Sequence, residues 1–267
     1  MFGAVIGDII GGGFALEPVR TYKLDLTDGK FAFTCNSVLM AAVCDMLYYC
    51  SDPPSGKIDY AIRSRESVDM LKKYARLFSD LMPPTHTEWT KQRKRAHCIA
   101  QADFSPIFAV GCAYAADTLD DVLALTDLFC AYICDTEHSR SCAKAVNSAL
   151  YALKRGAEKD SIADYVVGLD ITGDQQEIDE TLSMKRTPEA AVRAAFEAFT
   201  RSYDFDSALR FAIAYGAMSP TVAAVTGALA GEYYKAIPDE LETPCKKALG
   251  AALKIPLERF GEKFIGR

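Results

Sequence analysis

Over most of this 267-residue chain, apolar side chains recur every three to four positions rather than every second one, and that period commits the backbone to helices. Val38, Met40, Ala41, Val43, Cys44 and Leu47 form one such stripe; Val122, Leu125, Leu128, Phe129 and Ile133 form another. Helix-start signals fall in phase with the period. Thr118 precedes the acidic turn Leu119-Asp120-Asp121, Thr187-Pro188-Glu189 reads as N-cap, first-turn proline and an acid at the positive helix end, and Ser219-Pro220 repeats that grammar. The spacing predicts helices over about 2–11, 37–50, 64–81, 106–116, 119–134, 141–156, 160–167, 188–201, 205–215, 220–234, 239–252 and 256–264. Turn formers or loss of period predict loops at Ser51–Gly56, Pro83–Trp89 and Gly168–Met184. The fold class is all-α. No linker, repeat or low-complexity tract divides the chain, so residues 1–267 read as one domain.

Charge and cysteine usage exclude several function classes. A formal net charge of −6 supplies no field for a phosphate backbone, and the short basic run Lys91, Arg93, Lys94 and Arg95 reads as a solvated face, so no nucleic-acid partner is expected. The longest apolar stretches, such as Ile107–Ala116, fall short of the roughly 20 residues a bilayer requires. Nine cysteines without a C-x-x-C spacing, most of them on apolar helical stripes, point to free thiols in a reducing compartment. With Asp8 interrupting the apolar start and no basic residue before it, a secretory signal is not expected. Together these features predict a soluble, cytoplasmic protein with no membrane partner.

Three local features invite chemistry. Asp8 sits inside an apolar helix, where a buried acid must be hydrogen-bonded, either tethering the fold or touching a ligand. The run Gly11-Gly12-Gly13 lacks the strand and the spacing of a phosphate loop and reads as a helix terminus running into a flexible loop. Cys35 stands near a helix N-terminus, which favours a thiolate; it reads as one half of a nucleophilic pair with His138 or as a space-filling thiol.

Collinear segments carry a resemblance. Gly3–Gly11, Phe33-Thr34-Cys35-Asn36-Ser37-Val38, Ser105-Pro106-Ile107, Asp117–Val122, Pro188–Ala191, Phe205–Arg210 and Gly216–Ala228 follow in order and spacing the segments of the ADP-ribosylglycohydrolase family, which this chain resembles over nearly its whole length. The resemblance implies a compact, multi-helix orthogonal bundle. It also implies a two-magnesium site that cleaves the bond between ADP-ribose and an acceptor, with metals held by the motifs FTDDT and GGDSDT. At the matching positions this chain carries Thr34, Cys35, Asn36 and Ser37, then Met218, Ser219, Pro220 and Thr221. Four carboxylates are replaced by Cys35, Asn36, Met218 and Pro220, which takes the ligand charge from about −4 to 0, and hard dications need oxygen ligands. The family's magnesium is therefore expected to be lost, leaving no metal ligand and no cofactor.

Further departures touch the implied ligand pocket. The glycine-rich segment with its arginine is replaced by His97–Phe104, with Asp103 at the arginine position. The family's THxHPE appears as Thr136-Glu137-His138-Ser139-Arg140, and its early acid as Ala15, with Glu17 two residues on. The pocket candidates are thus Asp8, Glu17, Thr34, Cys35, Asn36, Ser37, Asp103, His138, Met218, Ser219 and Thr221, with no catalytic residue assigned. The leading expectation is a catalytically impaired relative that binds an ADP-ribose-like small molecule or a protein partner. The alternatives are a metal-independent hydrolase built on Asp8, Glu17, Asp103 or Glu137, and an interaction protein whose pocket has filled.

Overall fold

The computed structural model describes residues 1–51, 64–92, 106–166 and 187–266. In chain order the helices are α1 (Phe2–Gly13), α2 (Cys35–Cys50), α3 (Ser64–Leu77), α4 (Pro84–Lys91), α5 (Cys112–Ala115), α6 (Leu119–Ile133) and α7 (Glu137–Lys154). They continue with α8 (Pro188–Arg201), α9 (Phe205–Ala214), α10 (Ser219–Tyr234), α11 (Asp239–Ala248) and α12 (Gly250–Phe264). Short 3-10 segments occupy Ser79–Leu81 and Lys159–Val166, and the described residues contain no β-strand. The all-α expectation holds. None of the described helices is long and apolar enough to cross a membrane.

The predicted start signals act through the hydrogen bonds that make them signals. Thr118 Oγ1 accepts from Asp121 N at 3.2 Å, and Thr187 Oγ1 accepts from Ala190 N at 3.2 Å. Asp204 and Ser207 close a reciprocal capping box ahead of α9.

Several boundaries differ from the sequence reading. Pro83–Trp89, expected as a loop, contains α4, because Pro84 stands in the first turn, where its missing N–H is no loss. The helix expected over 64–81 ends at Leu77 and continues as the 3-10 turn. Residues 106–111 form turns, and only Cys112–Ala115 is helical. Helix α7 begins at Glu137, earlier than expected, because Thr136 Oγ1 accepts from Ser139 N. The break between the last two helices falls at Leu249 and Gly250, whose φ of +62° is left-handed, while Pro256 lies inside α12 instead of starting it. The loops expected around 52–56 and 168–184 lie outside the described residues.

The buried apolar side chains form one connected cluster, drawn from every one of the described α-helices. Its axis is the pair α1 and α10. Gly3, Gly7 and Gly11 stand four residues apart on one face of α1 and meet Gly227, Ala223 and Ser219 in reverse order, so the helices run antiparallel at backbone contact. A Cβ on Gly3 would stand 2.1 Å from the Gly227 carbonyl oxygen, and one on Gly7 would stand 2.0 Å from that of Ala223. The glycine run at 11–13 belongs to the same packing. A Cβ on Gly12 would lie 2.2 Å from the Ala32 carbonyl oxygen, so the run forms the C-terminal end of α1, as expected, and is held against the returning chain.

Cys44, Cys112, Cys130, Cys134 and Cys142 are buried as small apolar groups. Burial pushes the Cys130 and Cys245 thiols up to about 12, away from reactive thiolate chemistry.

Gly7→Ala is expected to lower the unfolding free energy by about 3 kcal/mol, the upper end of the overpacking range, since rigid backbone cannot yield to the new methyl group. Gly250→Ala, with open space around it and only its left-handed φ at issue, should cost about 1–2 kcal/mol. Urea unfolding of the two variants measures both. Equal losses would mean that the α1–α10 seam carries no special constraint.

Candidate functional site

Two helix entrances meet at the C-terminal half of α1. The first is the start of α2. Thr34 is its N-cap, in extended conformation at φ −114°, and its Oγ1 accepts from Asn36 N at 3.2 Å. Asp8, one residue beyond Gly7, is completely buried and turned toward this entrance. Its Oδ1 accepts from Thr34 Oγ1 at 2.5 Å and from Asn36 Nδ2 at 2.9 Å. Its Oδ2 accepts from Thr34 N at 2.9 Å, Ser37 N at 3.2 Å and Ser37 Oγ at 2.6 Å. A carboxylate offers about four lone-pair directions, so five donors saturate it. Its charge also faces the positive end of α2. Burial pushes the Asp8 carboxyl above the ordinary carboxylate range, against hydrogen bonds from Ser37, Thr34 and Asn36 that pull it down.

The second entrance is the start of α10. Gly216 and Met218 both adopt left-handed backbone, at φ +72° and +49°. The Met218 carbonyl then receives Thr221 N at 2.9 Å and Val222 N at 3.0 Å to open the helix. Ser219, expected just before the helix, is instead its first residue, and Met218 occupies the capping position without a side-chain bond. Met218, Ser219 and Thr221 are all buried. Gly11 lies against this turn, since a Cβ there would stand 2.3 Å from the Ser219 carbonyl oxygen. Asn36 Nδ2 reaches Thr221 Oγ1 at 3.4 Å and ties the entrances together, while the buried Asn36 Oδ1 has no hydrogen-bond partner among the described residues.

The structure therefore gathers Asp8, Thr34, Asn36, Ser37 and Thr221 into one hydrogen-bonded hub, with Met218 and Ser219 at its second entrance. Cys35 is the first helical residue of α2 and is half-buried beside the hub. Glu17 is exposed in the segment after α1. His138 is exposed on the first turn of α7, where its Nδ1 pairs with Glu189 at the start of α8. Glu189 carries no sequence signal beyond its place in the first turn of a helix, and nothing in its local pattern marks it as a partner of His138. Asp103 lies outside the described residues. Among the described residues, no three His, Cys, Asp or Glu side chains are grouped so as to hold a metal ion.

Comparison with known proteins follows the same lines. The family model described as ADP-ribosylglycohydrolase matches residues 1–264. A solved structure of an "ADP-ribosylglycohydrolase-related protein complex" superposes with a TM-score of 0.69, covering 98% of this chain and 95% of that chain at 16% sequence identity, which establishes likeness of fold. No curated protein matches the sequence.

Asp8→Asn would turn one oxygen acceptor into a donor facing other donors. It is expected to cost about 3 kcal/mol of unfolding free energy at pH 7. The sign of the pH dependence follows from the raised pKa: the folded state holds the Asp8 proton more tightly than the unfolded chain, so ionisation above pH 3.8 works against folding. The stability advantage of the wild type over Asp8→Asn should therefore shrink as pH rises from about 4 toward neutrality, as read by denaturant unfolding across pH. An advantage that grows over that range would show that the hydrogen bonds outweigh burial.

Proposed function

The chain belongs to the ADP-ribosylglycohydrolase family, and from that premise we propose that it is a metal-independent, non-hydrolytic member that acts by binding. The saturation of Asp8 is the observation that carries this reading. Magnesium requires near-octahedral oxygen ligation and is normally held through carboxylates with lone pairs to spare. Among the described residues, the one carboxylate at the two entrances is Asp8, and all five of its bonds go to the neck of α2. The remaining groups do not fit a pair of dications. Thr34 Oγ1 is engaged with Asp8 and Asn36, Cys35 and Met218 offer soft sulfur, and Asn36 Oδ1 is one neutral oxygen.

The hub locks two helix entrances to α1. With only neutral groups left beside Asp8, a bound molecule would be met by hydroxyl and amide hydrogen bonds instead of by cations. The acceptor Asn36 Oδ1 is buried and without a hydrogen-bond partner among the described residues, and a donor such as a ribose hydroxyl or an adenine amino group would satisfy it once the hub opens to a ligand, which supports an ADP-ribose-like small molecule. A protein partner is the second reading; the solved structure of similar fold is described as an "ADP-ribosylglycohydrolase-related protein complex". Hydrolysis by carboxylates alone has less support, because Asp8 is sealed from water whereas Glu17 and Glu137 are exposed.

Calorimetric titration with Mg²⁺ or Mn²⁺ is expected to give no stoichiometric binding, and incubation with an ADP-ribosylated protein should release no ADP-ribose with or without magnesium. The combined substitution Cys35→Asp, Asn36→Asp, Met218→Asp and Pro220→Asp is expected to create magnesium affinity where the wild type has none. Two equivalents of Mg²⁺ bound by the wild type, or magnesium-dependent turnover, would overturn the reading.

A further inference from the structure

At the other end of the α1–α10 seam, where Gly3 meets Gly231, lies a cavity of about 450 Å³. It is remote from the hub: Gly3 and Gly11 are eight residues apart on α1, roughly 12 Å along the axis. Its size falls within the range of pockets that hold one small molecule. Apolar walls come from Phe2, Ile237 and Phe264, and the exposed Ile265 stands at its rim.

The charged groups lining it are Lys154, Lys235 and Glu232. Glu232, on the last turn of α10, is buried and already engaged. Its Oε2 accepts from Tyr114 Oη at 2.9 Å, and its Oε1 pairs with Lys235, whose left-handed backbone at φ +55° ends the helix there. The main-chain nitrogen of Met1 donates in turn to the same Tyr114 hydroxyl at 2.8 Å. Lys154 reaches across from the last turn of α7, where its Nζ donates to the Tyr114 carbonyl at 3.2 Å and lies 5.9 Å from the Tyr114 ring centroid. Among the described residues, no carboxylate within salt-bridge distance answers Lys154. Burial lowers the pKa of the Met1 amino group, which also lines the cavity, to about 6, so that it is largely neutral at pH 7. The lining thus carries the ammonium groups of Lys154 and Lys235 and the Glu232 carboxylate, leaving a single positive charge in front of apolar walls. Partial burial lowers the pKa of Lys154, against the more distant charges of Glu232 and Asp117, which raise it.

We propose that this cavity binds a small amphipathic monoanion, an apolar body carrying one carboxylate, with the head group on Lys154 and the body against Phe2, Ile237 and Phe264. One excess positive charge matches one negative charge. A phosphate monoester dianion would bring a second negative charge beside the buried Glu232 carboxylate, and a neutral alkyl alcohol would leave Lys154 unanswered. The site is independent of the hub and of whether the family's metals bind there.

The test uses n-octanoate, 1-octanol and octyl phosphate in calorimetric titrations against the full chain. Octanoate is expected to bind one-to-one, and the other two at least tenfold more weakly. Lys154→Gln should remove at least fivefold of the octanoate affinity, Lys154→Arg should restore it, and Ile237→Trp, which fills the cavity, should abolish binding. Circular dichroism melts check that each variant is folded. Tighter binding of octyl phosphate, equal binding of octanoate and octanol, unchanged affinity in Lys154→Gln, undiminished binding in a folded Ile237→Trp, or no octanoate binding would each overturn the proposal.

Discussion

Backbone contact between α1 and α10 sets the positions of everything else. Ordinary helix pairs are held 8–10 Å apart by the side chains between them. Here the side chains are deleted at Gly3, Gly7 and Gly11 on one helix and at Gly227 and Gly231 on the other, and carbonyl oxygens of one backbone occupy the space of the missing Cβ atoms. Such closeness favours weak Cα–H···O contacts and excludes water, but it leaves little tolerance for rotation. A helix that cannot rotate fixes the direction of its next residue. Asp8 follows Gly7 and is for that reason aimed at the neck of α2.

A buried carboxylate is a large local cost, and five donors offset it only because each donor has its own reason to be there. Thr34 N and Ser37 N are amide groups at a helix entrance that no intrahelical carbonyl serves. Asp8 gains them as partners, and the helix gains a cap from a different element of the fold. The hydroxyls of Thr34 and Ser37 and the amide of Asn36 complete a set in which the acid accepts and the others donate. This division of roles explains how one acid can persist in a site where neutral residues stand at the other acidic positions of the family pattern: its duty is to the packing of α1 on α2.

The helices, their caps and the likeness to a family were legible because each rests on short-range pattern. Thr118 and Thr187 mark starts through bonds to residues three positions away, and a sequence displays that spacing directly, whereas the same bond at Thr136 opens a helix earlier than its apolar stripe announces. What could not be read depends on distant partners. The glycines of α1 and α10 have helical spacing, but nothing local says that Gly3 meets Gly227 and not some other small residue. Asp8 stands out as a buried acid, yet its donors lie 26 to 29 residues away. Pro84 misleads because a Pro-Pro pair signals a turn as readily as a helix start. Glu232 and Lys154 carry no motif; the one available signal is an acid closing the apolar run of α10.

Met218 shows how backbone and side chain part company at the second entrance. A φ of +49° disfavours a side chain with a Cβ by roughly 1–2 kcal/mol, a penalty that aspartate and asparagine tolerate better than methionine through local hydrogen bonds. The family pattern places an aspartate at this position. Methionine there gains burial but no local bond, so the conformation is imposed by its surroundings: Gly216 turns the chain at φ +72°, and Thr221 N and Val222 N bind the Met218 carbonyl. Gly11 presses on Ser219 and Pro220 from α1 and closes the alternative of a relaxed turn. The seam thus maintains a left-handed entrance while an apolar side chain occupies it. The fold is encoded here in glycines and hydrogen-bonded necks, which leave the side chain at the capping position free to be apolar.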